Sequence, residues 1–526
     1  MDFLYSRLIG ELAEWICHHP DYLERILEWL VIGLRNPRTA SETANALQNV
    51  CAQCQDHMVR HLDGLLQILS GLDNLGLKPA AATGLIKGVA LILSKMPHED
   101  ISKAMKAICA LQLSPILALV QKQTMSLDNN SGASQNGKIN KNTTNDPVLY
   151  LDRLAAILRH VNPYNMSPSI IHPCTDTVIN DIWPAVSGVC DVYASDARIM
   201  ERTCRTIRFA VRCLAVQSAP LLEPLVTQMV ALYQRHPHSC FLYLGSILVD
   251  EYAHLGEPYV AGLLQMLTAF LPPTFVLLIP QDSGGSLPQV SKNAMYIIKF
   301  SPIALNKISF APFDNRVLFL ILKTTNGVLP TMRNHPDTVD DFFRLNARFL
   351  QRAALPYLKF SQFSSVVECA LLAASLDHRD ANASVMKFFF DLLHAARNKE
   401  DRDDFEVRSS IVAKVRKDFG AKIVDSLIRA VVFSLPSYTF HDVGDVLFEL
   451  MLLERSNVCV WLEASLMALH DSQPGGPHQV GQNGDHANLT AKVTRDQLVK
   501  FHKEVTSSEQ PSSVIGALKT FSRLWR

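Results

Sequence analysis

The amino-acid sequence predicts an all-α protein built as a HEAT-repeat-like α-solenoid, a superhelical stack of antiparallel helix pairs. Apolar residues recur with helical spacing along most of the 526 residues. Helix stops come at short intervals and share an X-Pro sequence: His19-Pro20, Asn36-Pro37, Lys78-Pro79 and Met96-Pro97. Each segment is therefore a helix of roughly 12 to 20 residues followed by a tight connection. Almost no segment alternates apolar and polar residues with the period of two that is typical of strands.

Three stretches of different composition divide the helical pattern. The predicted segments, in order, are HEAT-like repeats at 1–123, a disordered Asn/Ser-rich loop at 124–146, HEAT-like repeats at 147–275 with an arginine-rich helix at 195–216, an anomalous insert at 276–332, HEAT-like repeats at 333–471, a flexible loop at 472–488 and C-terminal helices at 489–526. HEAT-type units take about 40–47 residues, so the regular portions would hold roughly ten pairs. The alternative is a compact helical bundle enzyme, but such bundles rarely reach this length without Gly-rich or strand-like segments.

Composition excludes several classes of protein. The chain has 50 Lys and Arg against 50 Asp and Glu, which argues against a protein that coats nucleic acid or anionic membrane with its whole surface. A hydrophobic share of 48% excludes disorder throughout. The 11 cysteines are scattered and odd in number, which favours a reducing compartment over a secreted disulfide framework. Acidic residues at the N-terminus (Asp2, Glu11 and Glu14) do not suit a signal peptide, and no apolar run approaches 18 residues. We expect a soluble cytosolic or nuclear protein.

Several fragments imitate catalytic signatures without the context that the chemistry needs. Residues 132–138 (GASQNGK) have P-loop spacing, but isoleucine follows where Ser or Thr would hold magnesium. Residues 282–285 (DSGG) and 378–380 (HRD) match protease and kinase fragments, yet the other motifs of both folds are missing. Cys51 and Cys54 form a lone CxxC, which is more often a pair of packed thiols than of metal ligands. We therefore predict no enzymatic activity, no cofactor and no metal site.

One segment, residues 195–216 (SDARIMERTCRTIRFAVRCLAV), has a more specific pattern than these fragments. Its five arginines are spaced 4, 3, 3 and 4 residues apart: Arg198, Arg202, Arg205, Arg208 and Arg212. At about 100° per residue they fall within an arc of roughly 120° on one helix face, and apolar residues occupy the opposite arc. The pattern predicts a helix that packs its apolar side into the array and presents a row of arginines about 20 Å long.

A row of arginines suits an extended anionic chain. Arginine forks bind phosphate oxygens bidentately. Successive arginines lie about 5–6 Å apart along a helix, and alternate residues of an extended peptide lie about 6.5–7 Å apart, so a peptide phosphorylated at every second residue would roughly follow the row. The alternative is a solvated face, or arginines paired with acids on the neighbouring helix. The residues alone favour neither the phosphate-binding row nor the solvated or internally paired face.

Five blocks of sequence carry a family resemblance. They are residues 50–58 (VCAQCQDHM), 238–252 (HSCFLYLGSILVDEY), 334–345 (NHPDTVDDFFRL), 376–388 (LDHRDANASVMKF) and 501–508 (FHKEVTSS). Together they resemble the transportin-SR family, nuclear import receptors of the importin-β superfamily. The resemblance implies a HEAT-repeat superhelix that carries splicing factors with phosphorylated Arg/Ser-rich domains into the nucleus. An arginine-rich helix recognises cargo in that family, and the five arginines of residues 195–216 match it in kind and spacing.

Two features depart from the family pattern. Met1 aligns with the middle of the family's chain, so the resemblance covers the C-terminal portion only, and the N-terminal repeats that chiefly bind Ran-GTP lie outside it. We therefore expect that Ran-GTP releases cargo poorly from this chain. Residues 276–332 have no counterpart in the family, and we interpret them as a retained intron or mis-drawn exon, with a lineage-specific loop as the alternative.

An acidic cluster, Asp337, Asp340 and Asp341, stands at a predicted helix start. Carboxylates there complement the helix dipole, and contact with a basic cargo surface or with Ran is the alternative. The resemblance further implies nucleoporins as partners and shuttling between cytoplasm and nucleus, with no membrane partner and no direct nucleic-acid partner. Two other functions stay open: a nucleic-acid-binding scaffold that uses the same arginines on backbone phosphates, and a purely structural α-solenoid.

Overall fold

The computed structural model describes residues 3–129, 145–163, 170–278, 332–471 and 493–525. Within these ranges every regular element is a helix, which confirms the all-α prediction. The chain divides into two compact units, Met1–Cys240 and Phe241–Arg526.

The first unit is a succession of helices joined by short turns, several of them 3₁₀-helical. Its described α-helices are α1 (Phe3–Glu11), α2 (Ala13–His18), α3 (Leu23–Leu34), α4 (Ala40–Gln53), α5 (Gln55–Met58), α6 (Leu62–Ser70), α7 (Pro79–Leu93), α8 (His98–Asn129), α9 (Pro147–His160), α10 (Trp183–Val192), α11 (Ala197–Leu214) and α12 (Leu222–Arg235). Proline is the first residue of α7 and of α9, where its fixed φ suits a helix start and its missing N–H costs no hydrogen bond.

Helices of the first unit lie in two rows. In one row α4 packs between α1 and α7, and α9 packs between α7 and α11. In the other row α8 lies beside α6 and α10, and it also packs on α9 of the first row. Within the first row α4 and α7 pack closely: a Cβ on Gly88 would lie 3.1 Å from both the Gln48 Cα and the Cys51 Cβ. These stacked helix pairs are the HEAT-like arrangement that the sequence predicts.

The second unit repeats this construction. Its described α-helices are α13 (Ser239–Tyr252), α14 (Tyr259–Leu278), α15 (Pro336–Arg352), α16 (Ala354–Leu358), α17 (Phe363–Ala373), α18 (Arg379–His394), α19 (Phe405–Phe433), α20 (Phe440–Asp471), α21 (Arg495–Thr506) and α22 (Pro511–Trp525). The helix α18 packs between α15 and α20, and α20 also packs on α19 and α22. Buried phenylalanines such as Phe342, Phe388 and Phe440 fill the space between these helices.

Several predicted segment boundaries differ from the structure. The helix α8 continues to Asn129, six residues into the predicted loop 124–146, and Asp146 at the end of that loop is fully buried. The helix α14 continues to Leu278, three residues into the predicted insert 276–332. Residues 130–144, residues 279–331 of the insert and the predicted loop 472–488 lie outside the described residues.

Three stretches of the described chain are long and apolar enough to cross a membrane: 98–126, 197–235 and 259–278. This differs from the sequence analysis, which finds no apolar run near that length. The stretch 197–235 is not one straight helix, because α11 ends at Leu214, where Ala215 adopts a φ of 48°, and α12 begins at Leu222. Between 39% and 44% of each apolar window is buried inside the protein. The absence of a membrane partner stays a prediction.

Candidate arginine-rich binding site

The predicted arginine-rich helix is α11, which runs from Ala197 to Leu214 within the predicted 195–216. Asp196 caps its start, with the side chain accepting the Ile199 N–H at 3.1 Å. The apolar side predicted from the spacing is buried and consists of Ile199, Met200, Cys204, Ile207, Val211 and Leu214. The prediction of an amphipathic helix packed into the array is therefore confirmed.

Arg198, at the first turn of α11, is tied to a buried carboxylate. Its Nη1 donates to Asp146 Oδ2 at 2.9 Å and its Nη2 donates to Asp146 Oδ1 at 3.1 Å. The Asp146 side chain is 0% exposed, and its Oδ1 also accepts the Val148 N–H at the start of α9. The hydrogen bond to Asp146 raises the pKa of Arg198 further above its already high value. Arg198 thus joins α11 to the start of α9, and its guanidinium is committed to that contact.

Arg202 and Arg205, in the middle of the row, share one acid on α9. The Nη1 atoms of these arginines lie 3.7 Å and 3.4 Å from Asp152 Oδ1. Burial raises the pKa of Asp152, and the two arginines lower it. The three side chains remain 31–41% exposed, so these ion pairs are partly solvated and weak. Asp152 alone balances only one of the two guanidinium groups, and Glu201 on α11 is a second acid near Asp152.

The C-terminal half of α11 continues into a basic surface, which we define as Arg208, Arg212, Arg159 and Lys87. The Arg208 guanidinium lies 4.3 Å from the ring centre of Phe209, and the Arg159 guanidinium lies 5.6 Å from the same ring. Arg212 and Arg159 are exposed. Burial first, and then Lys87 and Arg159, lower the pKa of His160 at the end of α9. Stacking on an aromatic face holds guanidinium groups in place.

The sequence analysis missed Arg159 and Lys87 because they lie on other helices. Arg159 belongs to the last turn of α9 and Lys87 to α7, so no spacing within residues 195–216 includes them. The row of helices α7, α9 and α11 brings them to the same region as Arg208. The last turn of α9 is visibly basic in the sequence. Only the packing of α9 on α11 shows that this turn lies beside the arginines of α11.

The acidic cluster lies in the second unit, on α15. Asp337 is exposed in the first turn, while Asp340 accepts from Arg344 Nη2 at 2.7 Å and from the Ser384 hydroxyl on α18. The residue before the helix is His335, and no side chain caps this start. Asp340 therefore links two helices, and Asp337 is the member best placed to meet a solute. These contacts do not test whether the cluster binds a basic cargo surface or Ran.

Cys51 and Cys54, the lone CxxC, are buried among packed helices. Burial raises the pKa of both thiols, that of Cys54 to about 12. The Cys54 thiol donates to the Ala13 carbonyl at 3.6 Å. Buried thiols that stay protonated are poor nucleophiles, and no third metal-binding side chain is grouped with these two among the described residues.

Family comparisons match two parts of the chain. The model described as the transportin-3/importin-13 fourth TPR domain matches residues 172–278, which include all of α11. The model described as the third TPR domain of the same proteins matches residues 4–68. Both descriptions name TPR repeats rather than HEAT repeats, and TPR repeats are also stacked helix pairs.

Curated relatives and a solved structure match almost the whole chain at low identity. Transportin MOS14 of Arabidopsis thaliana is 20% identical over 87% of this chain and 41% of that protein. Importin-13 of Bos taurus is 22% identical over 94% of this chain and 44% of that protein, and the human importin-13 is 21% identical over the same shares. The chain thus spans less than half the length of these relatives. A structure titled "Importin13 cytosolic state" superposes with a TM-score of 0.69 at 15% identity, covering 99% of this chain and 49% of that one.

The superposition supports the α-solenoid fold, and the relatives point to one kind of receptor. None of the relatives named here is an enzyme, and we assign the chain no catalytic activity. In sequence and in fold, the chain is similar to importin-13 and transportin members of the importin-β family, at about 20% identity.

Proposed function

We propose that the chain is part of a nuclear import receptor that binds phosphorylated Arg/Ser-rich segments of splicing factors on α11. The observation that carries this proposal is the partly exposed row Arg202, Arg205 and Arg208, with Arg212 exposed at its end, inside the region that matches the transportin-3/importin-13 model. We leave Arg198 out of the ligand-binding row, because its Nη1 and Nη2 atoms both donate to Asp146.

Phosphate chemistry fits the geometry of this row. Guanidinium groups spaced by one helical turn offer bidentate donors about 5–6 Å apart. Stacking on Phe209 fixes Arg208 and Arg159, so that less side-chain entropy is lost when a phosphate binds. The peptide would continue from α11 across the end of α9, where Arg159 extends the basic surface. Ran-GTP and nucleoporins, as further partners, and shuttling between cytoplasm and nucleus belong to the same proposal.

The direct test compares one Arg/Ser peptide with and without serine phosphates. We expect the phosphorylated form to bind the chain at least about tenfold more tightly at physiological salt, since each charge-assisted phosphate contact adds about 1.5–3 kcal/mol. Affinity should fall as salt rises. Fluorescence anisotropy with a labelled peptide measures both. An RNA of equal charge should displace the peptide poorly. Equal binding of the two peptide forms would refute phosphate recognition, and efficient displacement by RNA would favour the nucleic-acid-binding scaffold.

Asp152 should act as a built-in competitor for the phosphates. Its carboxylate pairs with Arg202 and Arg205, so a phosphate on these arginines must displace it. We expect Asp152→Asn to bind the phosphorylated peptide about 3–5-fold more tightly, in line with the small free energy of exposed ion pairs. Unfolding free energy should change by less than about 1 kcal/mol for the same reason. Asp63→Asn, an exposed site on α6, is the matched control. Weaker binding by Asp152→Asn would show that the carboxylate positions the arginines rather than competing.

A second candidate function rests on the same ion pairs. Three of the five arginines contact acids at the start of α9 or within it, which favours a structural role for α11 in a scaffold. Under that interpretation, Asp152→Asn would lower stability without changing the affinity for any phosphopeptide. The two candidates therefore predict different affinities for one variant: tighter phosphopeptide binding under the first and unchanged binding under the second.

A further inference from the structure

The fold of the first unit brings together three metal-binding side chains that are far apart in sequence. His172 and Cys174 precede a π-helical turn at Thr177–Ile182, and Cys213 lies in the last turn of α11. One ligand atom from each lies within 4.8 Å of the other two. Cys174 is fully buried, His172 is 9% exposed and Cys213 is half-buried.

We propose that His172, Cys174 and Cys213 bind a zinc ion. Two thiolates and one imidazole are a donor set that zinc prefers, and soft sulfur ligands disfavour calcium and magnesium. Tetrahedral zinc holds such ligand atoms about 3.5–3.8 Å apart. The observed separations therefore require only a small inward movement of the three side chains.

Backbone contacts already hold the imidazole beside the two sulfur atoms. The His172 N–H donates to Gln217 Oε1 at 2.7 Å, and His172 Nδ1 accepts the Cys174 N–H at 3.2 Å. Coordination through either ring nitrogen ends this second bond, because an imidazole that binds metal at one nitrogen carries its proton on the other. Metal binding thus exchanges one long hydrogen bond for a coordinate bond.

A water molecule would complete the tetrahedron around zinc, as in zinc sites with three protein ligands. The Cys109 thiol on α8 is fully buried and donates to the Met105 sulfur at 3.9 Å, and we do not assign it to the site.

The proposed zinc would fasten the end of the arginine-rich helix. It would join the segment at 172–174 to Cys213, the residue after Arg212. The adjoining turn is π-helical, a rare conformation that is frequent at functional sites. The sequence analysis missed the site because its only local signal is one His-x-Cys pair, with the third ligand 39 residues further along.

The test uses the full 526-residue chain, reduced and stripped of metal with EDTA, with cobalt(II) and zinc(II) as probes. We expect one equivalent of cobalt to give the visible absorption of a tetrahedral thiolate complex, and one equivalent of zinc to abolish it. Cys174→Ser and Cys213→Ser should each weaken metal binding by at least about 100-fold. Changes to outer-shell partners of a metal site cost up to about 100-fold, and the loss of a direct ligand should cost at least as much. Cys190→Ser, a buried cysteine of α10 outside the cluster, is the control.

Cobalt titration of the unaltered chain decides the question even if the serine variants fail to fold. A chain with the circular dichroism of a folded helical protein that takes up no stoichiometric cobalt would overturn the proposal. Two other results would also overturn it: unchanged affinity in both ligand variants, or a Cys174–Cys213 disulfide in the freshly isolated protein together with no metal uptake after reduction.

Discussion

Reversing the charges of Arg205 and Arg208 should lower the affinity for a phosphorylated Arg/Ser-rich peptide at least about 100-fold. Each arginine is expected to supply a charge-assisted contact of about 1.5–3 kcal/mol, and the glutamates of Arg205→Glu and Arg208→Glu would repel the same phosphates. Arg205 is 41% exposed and Arg208 is half-buried against Phe209, so neither is a core residue. Fluorescence anisotropy at constant salt gives the affinity, and circular dichroism checks that helix content is unchanged.

A matched double variant separates local recognition from net charge. Arg25→Glu and Arg35→Glu produce the same change in net charge on exposed positions in and just after α3. We expect this control to change the affinity less than about threefold, because screened charges beyond one Debye length contribute little. Binding that survives in the Arg205/Arg208 variant would end the assignment of α11 as the ligand site. Equal losses in both variants would reduce the interaction to long-range attraction.

The part of the fold that is predictable from the sequence is the part that local periodicity determines. Arginines at intervals of 3 and 4 residues place Ile207 and Val211 on the opposite face, and both are buried in the structure. X-Pro stops predict helix ends because proline cannot supply the helical N–H, and α7 does begin at Pro79. Each of these inferences uses neighbours within one turn.

The partners of the arginines were not predictable, because they depend on which helices become neighbours. Asp152 is an ordinary polar position of α9 until α11 packs beside it and brings Arg202 and Arg205 within 4 Å. Asp146 was assigned to a disordered loop because it ends an Asn/Ser-rich tract, yet it is a buried helix cap. Low-complexity composition describes the tract as a whole and does not identify the residue at which order begins.

The cluster of His172, Cys174 and Cys213 also depends on which segments become neighbours, and no local sequence pattern predicts it. Cys51 and Cys54 are close in sequence and are interpreted in the sequence analysis as packed thiols rather than metal ligands, and both are packed in the core of the structure. Three-dimensional proximity assembled a more suitable donor set from residues that no local motif connects. Sites formed across stacked repeats are therefore poorly visible to motif reading.

Removal of the buried carboxylate at the start of α9 should cause the largest loss of stability among single substitutions in the arginine-rich site. Asp146→Ala leaves the Arg198 guanidinium, 29% exposed, without its partner, and it also removes the cap on the Val148 N–H. Breaking a buried ion pair from one side costs about 3–5 kcal/mol. We expect a loss of this size in the unfolding free energy of the first unit, measured by urea denaturation followed by circular dichroism.

Two variants apportion that loss between the ion pair and the cap. Asp196→Ala removes the equivalent cap from α11 without touching a buried ion pair, and it should cost only about 1 kcal/mol. Asp146→Asn keeps an acceptor for the cap and removes the charge, so its loss should fall between the other two. If Asp146→Ala were no worse than Asp196→Ala, Arg198 would be held by its remaining surroundings and would be free to bind a phosphate. The stability of this variant therefore decides whether the ligand row begins at Arg198 or, as we infer, at Arg202.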